Sequence, residues 1–195
     1  MSCIKKIQIE NTIYTANVDF RVAIRCNEIA QDETIGDLER ALGIICTIFG
    51  ADALNNTNHY DKLLKWSKKW LSCGKEIKDT HEEPDMDYIE DYDYIVASFQ
   101  SDYHINLDEE EMDWYRFSNL INGLSNSEFG NCCVLNRIRN LRNYDVSQIK
   151  DAKEKDKIIK AKQQVALKRH KKEVEVKLTK EQKESVDEFY KALGF

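Results

Sequence analysis

Residues 91–124 read DYDYIVASFQSDYHINLDEEEMDWYRFSNLINGL, and this stretch decides the architecture. Tyr92, Ile95, Val96, Phe99 and Tyr103 recur at steps of three and four, which gathers them on one face of a helix. After the Ile105–Leu107 connector, Trp114, Phe117, Leu120, Ile121 and Leu124 repeat the rhythm. Gly123, followed by an apolar residue, predicts a left-handed helix stop. Two such helices on a short tether predict an antiparallel pair. Glu109, Glu110 and Glu111 precede the second helix, where carboxylates favour the positive end of its dipole. His104, just past the first helix, suits a cap.

Working outward toward the N-terminus, Lys6–Tyr14 alternates weakly through Ile7, Ile9 and Ile13, and predicts a short strand or hairpin edge that lies on helices. Asp19 is an N-cap candidate for a helix to about Gln31 that buries Phe20, Ala23 and Ile24. Thr34 and Asp37 carry the spacing of a capping box. The helix after them places Ile35, Leu38, Leu42, Ile45 and Phe49 on one side and stops at Gly50. Gly36 and Gly43 weaken it by up to about 1 kcal/mol each against alanine, so tertiary packing must hold it. Asn55–Asn58 is a polar loop. Tyr60–Cys73 predicts a third amphipathic helix through Leu63, Leu64, Ser67, Trp70 and Leu71, with Gly74 at C′. Trp66 falls off that stripe, either covering the rim of the core or facing a partner.

Glu76–Asp87, acidic and holding the chain's one proline at Pro84, reads as a linker that joins helices rather than separating domains. Downstream of the aromatic pair, Ser125–Ser127 is positioned to cap a helix through Phe129, Cys133, Ile138 and Leu141. Asp151 starts a long basic helix to about Lys172, with Ile158, Ala161, Val165 and Leu167 as a thin stripe. Thr179 and Gln182 form another capping-box pattern ahead of Val186, Phe189, Tyr190 and Leu193. The fold class expected is mainly α: a compact helical bundle with a short N-terminal strand or hairpin, a long basic C-terminal helix and a short terminal one. Residues 1–149 form the helical body and 150–195 a basic C-terminal arm.

Composition agrees with that class. Of 195 residues, 42% are hydrophobic, enough for one modest core, and seven glycines with one proline argue against a sandwich or barrel. No stretch approaches the roughly 20 apolar residues of a membrane span, and residues 1–10 lack a signal peptide's core, so the expectation is a soluble cytosolic protein. Six cysteines without Cys-x-x-Cys spacing predict reduced thiols, with Cys132 and its neighbour Cys133 facing different ways. Charge is uneven. Lys75–Asp113 holds 15 acids and two bases, while residues 150–195 hold 14 bases and nine acids. That is not the pattern of a nucleic-acid binder. Both runs read as solvated faces, or the arm meets an acidic partner or a neighbouring copy.

Catalytic signatures are missing from the sequence. There is no phosphate loop, no His-Glu-x-x-His and no nucleophile elbow. His59, His81, His104 and His170 read as surface or cap residues. Asp85, Asp87, Glu90, Asp91 and Asp93 lack an EF-hand's glycine and closing glutamate. The expectation is a non-enzyme with no metal and no cofactor.

Asp91–Tyr103, the Ile105–Leu107 connector, Trp114, Phe117, Leu120 and Gly123–Leu124 resemble the bacteriophage gene-product-fifteen family of siphophages and prophages. Asp19-Phe20-Arg21, the run Leu63, Leu64, Trp66, Trp70, Cys73, Gly74 and the basic helix after Ile149-Lys150-Asp151 fall in the same order, so the resemblance spans roughly Ile13–Ala166. It implies a tail-assembly chaperone in the host bacterial cytoplasm that coats the tape-measure protein while tail tube subunits polymerise, working as a homo-oligomer. The alternative is a structural virion component, a tail-completion or connector subunit. On the sequence, Trp66 and the i, i+3, i+4, i+7 set Val186, Phe189, Tyr190 and Leu193 are the candidate partner-binding residues. The terminal helix either grips a partner or docks on its own domain.

Overall fold

The computed structural model describes residues 3–75, 84–126 and 132–168. Most of the linker, Phe129, His81, His170 and the terminal segment with Val186, Phe189, Tyr190 and Leu193 lie outside the described residues. Within them the chain is mainly α, with seven helices and one two-stranded sheet.

The N-terminal alternation is a hairpin. Strands β1 (Ile4–Ile9) and β2 (Thr12–Asn17) pair antiparallel from Ile9↔Thr12 to Ile4↔Asn17. Glu10, in the two-residue turn, adopts φ 53°, the positive value that such hairpins favour. Ile9, Tyr14 and Ala16 face the core, and Ile13 turns outward at 65% exposure.

Helix α1 (Phe20–Gln31) starts as expected, with the Asp19 carboxylate accepting from the Arg21 N–H. Helix α2 (Asp37–Phe49) departs from expectation. Its N-cap is Gly36, whose N–H donates to Glu39 Oε2 at 2.7 Å. Thr34 instead bonds to the Asp32 carboxylate, a local turn that competes with helix. The helix therefore begins after Ile35, and Leu38 is 68% exposed. Gly43 earns its place in packing: a Cβ there would sit 3.2 Å from Ile29 on α1.

The polar loop forms two short 3-10 turns, Ala51–Asn55 and Thr57–His59, leading into α3 (Tyr60–Leu71). Its end is a Schellman motif. The Cys73 N–H donates to Trp70 O and the Gly74 N–H to Lys69 O. Cys73, at φ 52°, takes the C′ position expected of Gly74. His59 is buried, not a surface residue, with Nδ1 2.7 Å from the Tyr14 hydroxyl.

The deciding stretch forms α4 (Tyr92–Tyr103) and α5 (Trp114–Asn122). The predicted antiparallel pair is only partly realised. Helix α4 lies chiefly on α6 (Val134–Asn143) and α5 on α1, with a smaller α4–α5 seam. That seam is aromatic. Phe117 stacks on Phe99 at 5.3 Å on one side and on Phe20 at 4.4 Å on the other. Gly123 is not left-handed, with φ −91°. It is needed for close approach, because a Cβ there would lie 2.9 Å from the Tyr103 hydroxyl, which donates to Leu120 O. His104 does take the left-handed cap, at φ 55°.

Backbone ties hold the connector to the N-terminal layer. The Phe20 N–H donates to Met112 O and the Trp114 N–H to Val18 O, both at 2.9 Å. The Arg21 guanidinium adds bonds to the carbonyls of Leu107 and Glu110.

Helix α6 begins later than its sequence suggests. Ser125 and Asn126 pair back onto Cys133 and Cys132, and the Cys133 sulfur caps the Asn136 N–H at 3.4 Å. Asn136 then donates to Leu124 O and Ser125 O. Helix α7 (Ala152–Val165) is capped by Asp151, as expected. It stops at Val165 rather than near Lys172, because Ala166 turns extended. Arg142 Nε donates to Val165 O at 2.7 Å, and Glu90 takes the Lys168 N–H.

Arg142 is the staple of this end of the molecule. Its guanidinium binds Asp91 in a fork, both distances 2.7 Å, and also Asp85 O at 2.8 Å. The hydrogen bonds to Asp91 raise the arginine's pKa further. The tail of the expected linker thus belongs to the body: Met86 packs on the core and Asp87 is buried.

Candidate partner surface

Most of the aromatic rings on the helix stripes are taken up by the core. Among the described residues the large hydrophobics left exposed are Ile4, Ile13, Leu38, Ile89, Tyr115 and Tyr144. Two of them meet. Ile4 at the start of β1 and Tyr115 on α5 line one groove with Cys3, Lys5, Val18, Trp70 and Asp113, of about 280 Å³. Ile4 is 59% and Tyr115 39% exposed.

The position of each wall follows from local sequence. Tyr115 sits beside Trp114 but off the buried stripe, so the helix turns it outward. Ile4 takes the outward phase of β1. The tie between Val18 and Trp114 brings these two elements edge to edge. Lys5 and Asp113 place one charge of each sign in the lining.

Trp70 forms the floor, 3% exposed, and its indole Nε1–H has no acceptor among the described residues. A buried donor without a partner costs about 1–3 kcal/mol. Trp114, by contrast, donates its indole N–H to Leu71 O at 2.9 Å. An acceptor such as a peptide carbonyl is what the Trp70 donor lacks.

Trp66 lies half-buried behind this floor. It stacks on Trp70 at 6.0 Å and meets the edge of Phe49 at 5.5 Å. Its indole braces Trp70, and the part still exposed borders solvent. Val186, Phe189, Tyr190 and Leu193 lie outside the described residues. Sequence reasoning passed over Ile4 and Tyr115, though the outward phase of one and the off-stripe position of the other were available as spacing. The orphaned donor of Trp70 was not, since an indole on an apolar stripe reads as plain core.

Burial pushes the Tyr115 and Cys3 pKa values up, with nearby carboxylates adding to the effect on Cys3. Neither is poised as a nucleophile. The described residues hold no cluster of three or more metal-ligating side chains and no helix long and apolar enough to cross a membrane.

Residues 2–167 match the family model described as Bacteriophage Gp15 protein, and the chain belongs to that family. No curated protein matches the chain, and no solved structure does.

Proposed function

We propose that this protein is a phage tail-assembly chaperone. It binds apolar segments of the tape-measure protein in the host bacterial cytoplasm and holds them while tail tube subunits assemble, as a homo-oligomer and without catalysis. The observation that supports this most is family membership across residues 2–167. The groove of Ile4, Trp70 and Tyr115 gives the reading a physical footing. It offers apolar contact area, so a client segment can be held by surface burial. Burying an exposed aromatic or branched side chain contributes about 1.5–3 kcal/mol before ordering costs. Trp66, Val186, Phe189, Tyr190 and Leu193 are the further anchors proposed for this contact.

Co-expression with the tape-measure protein tests the proposal. The client should stay soluble and co-purify, and Ile4→Asp or Tyr115→Asp should abolish the complex without unfolding the chaperone, since both side chains are already exposed. An insoluble client with no complex overturns the reading. Mass spectrometry of mature particles should find the protein absent. Its presence in fixed copy number would make it a structural virion component instead.

A further inference from the structure

The described chain ends at Lys168 in a specific place. Leu167 is buried, and the Lys168 N–H donates to both carboxylate oxygens of Glu90, at 2.9 and 2.8 Å. The two residues before Glu90, Tyr88 and Ile89, line an apolar groove with Ile24 and Tyr92. This groove holds about 430 Å³ and carries Arg21 and Asp93 on its rim. It is separate from the Ile4–Trp70–Tyr115 groove and runs between α1 and the first turn of α4.

We propose that this second groove is the seat of the chain's own C-terminal segment, residues 186–193, in the free protein. Two observations on the molecule point to that occupant. The first is where the chain leaves the body: Glu90 delivers it one residue from Ile89. The tether, residues 169–185, is long enough even wound at 1.5 Å per residue, when it spans about 26 Å. The second is pattern. Val186, Phe189, Tyr190 and Leu193 share one helical face, so Phe189 and Tyr190 enter against Tyr88, Ile89 and Tyr92 while Val186 and Leu193 rest on the ends.

A tethered segment meets its own groove at an effective concentration that a second copy at micromolar levels does not match. The family match ends at residue 167, so the segment is an addition to the family body that folds back on it. Docking shields four apolar side chains. If they also grip a client, as proposed above, the client must displace them first. That consequence rests on the chaperone reading, whereas the docking does not.

The test uses the full chain with isoleucine δ1 methyls labelled for NMR. In the Phe189→Asp, Tyr190→Asp double variant the Ile24 and Ile89 resonances should move, while Ile45 and Ile48 in the core stay. Amide exchange across residues 186–193 should be roughly tenfold or more faster than in the wild type. Both differences should survive a roughly hundredfold dilution. Ile89→Asp, at a side chain already exposed, should release the same segment from the groove side. Unmoved Ile24 and Ile89 methyls overturn the proposal. So do differences that vanish on dilution, which would give the groove to a second copy. Loss of client binding with intact docking would sink the chaperone reading alone.

Discussion

Replacing Arg142 with methionine should be among the most damaging single changes in the protein. The guanidinium and the Asp91 carboxylate are almost wholly withdrawn from water, with side-chain exposures of 10% and 1%. Four of its hydrogen bonds reach three residues: Asp91 twice, Asp85 O and Val165 O. Methionine keeps the unbranched stem as far as about the Nε position and removes the guanidinium with its charge and donors. Among the described residues, Asp91 then stays buried with only the Asp87 N–H, at 3.0 Å, still donating to it. An ion pair broken from one side in such a setting costs about 3–5 kcal/mol. Against a typical total of about 5–15 kcal/mol, that is a large share. Urea denaturation followed by circular dichroism should show the loss in midpoint at unchanged slope. Adding Asp91→Leu should recover part of it, because removing both charges leaves no orphan. A single variant within about 1 kcal/mol of wild type, or a double variant no better than the single, would refute the account of Arg142 as a staple.

Gly123→Ala should destabilise by about 1–2 kcal/mol, since its Cβ displaces the Tyr103 hydroxyl from Leu120 O. Tyr103→Phe should make the same alanine nearly silent in urea melts, and a full penalty in that background would remove the steric explanation. The Cys26 thiol is pushed up to about 12 by burial, so iodoacetamide at neutral pH should modify it only after unfolding. Peptide mapping that finds it alkylated in the native protein counts against its placement in the core. The Glu10 carboxyl is held below its ordinary value by hydrogen bonds from Lys62 and then His59. A depressed folded-state pKa adds stability above the unfolded-state value and loses it as pH falls through the folded one. Wild type should therefore melt above Glu10→Gln at neutral pH, and the two midpoints should converge in acid. A gap that stays constant down through the carboxylate range would mean that this link adds nothing.

What could be read in advance was whatever local spacing controls. The stripes of α1, α3, α4 and α5 and the caps at Asp19 and Asp151 follow from residues within a turn or two of one another. What spacing missed depends on neighbours far along the chain. His59 is buried because Tyr14 and Glu10 come to it from the hairpin. Gly123 is glycine because Tyr103 crosses above it, not because its own backbone demands it. Helix α7 stops where Arg142 and Glu90 take over its last polar groups. The start of α6 was misplaced for a chemical reason, since a thiol is a weak acceptor and Cys133 does not stand out as a cap. At the candidate surface, Trp66 was legible as a residue of the rim or of a partner contact, whereas Tyr115, which also stands off its stripe, was passed over. The Trp70 donor needed three dimensions to notice.

The pairing of Val18–Phe20 with Met112–Trp114 sets an order of events during synthesis. The Phe20 N–H cannot reach Met112 O until some 92 further residues (112 minus 20) have been made. At about 5–20 residues per second, that is a wait of roughly 5–18 s. Through this interval Phe20 has neither its backbone acceptor nor the Phe117 ring on which it later stacks. The body of the protein is thus completed from its middle outward, and its earliest residues are among the last to find shelter.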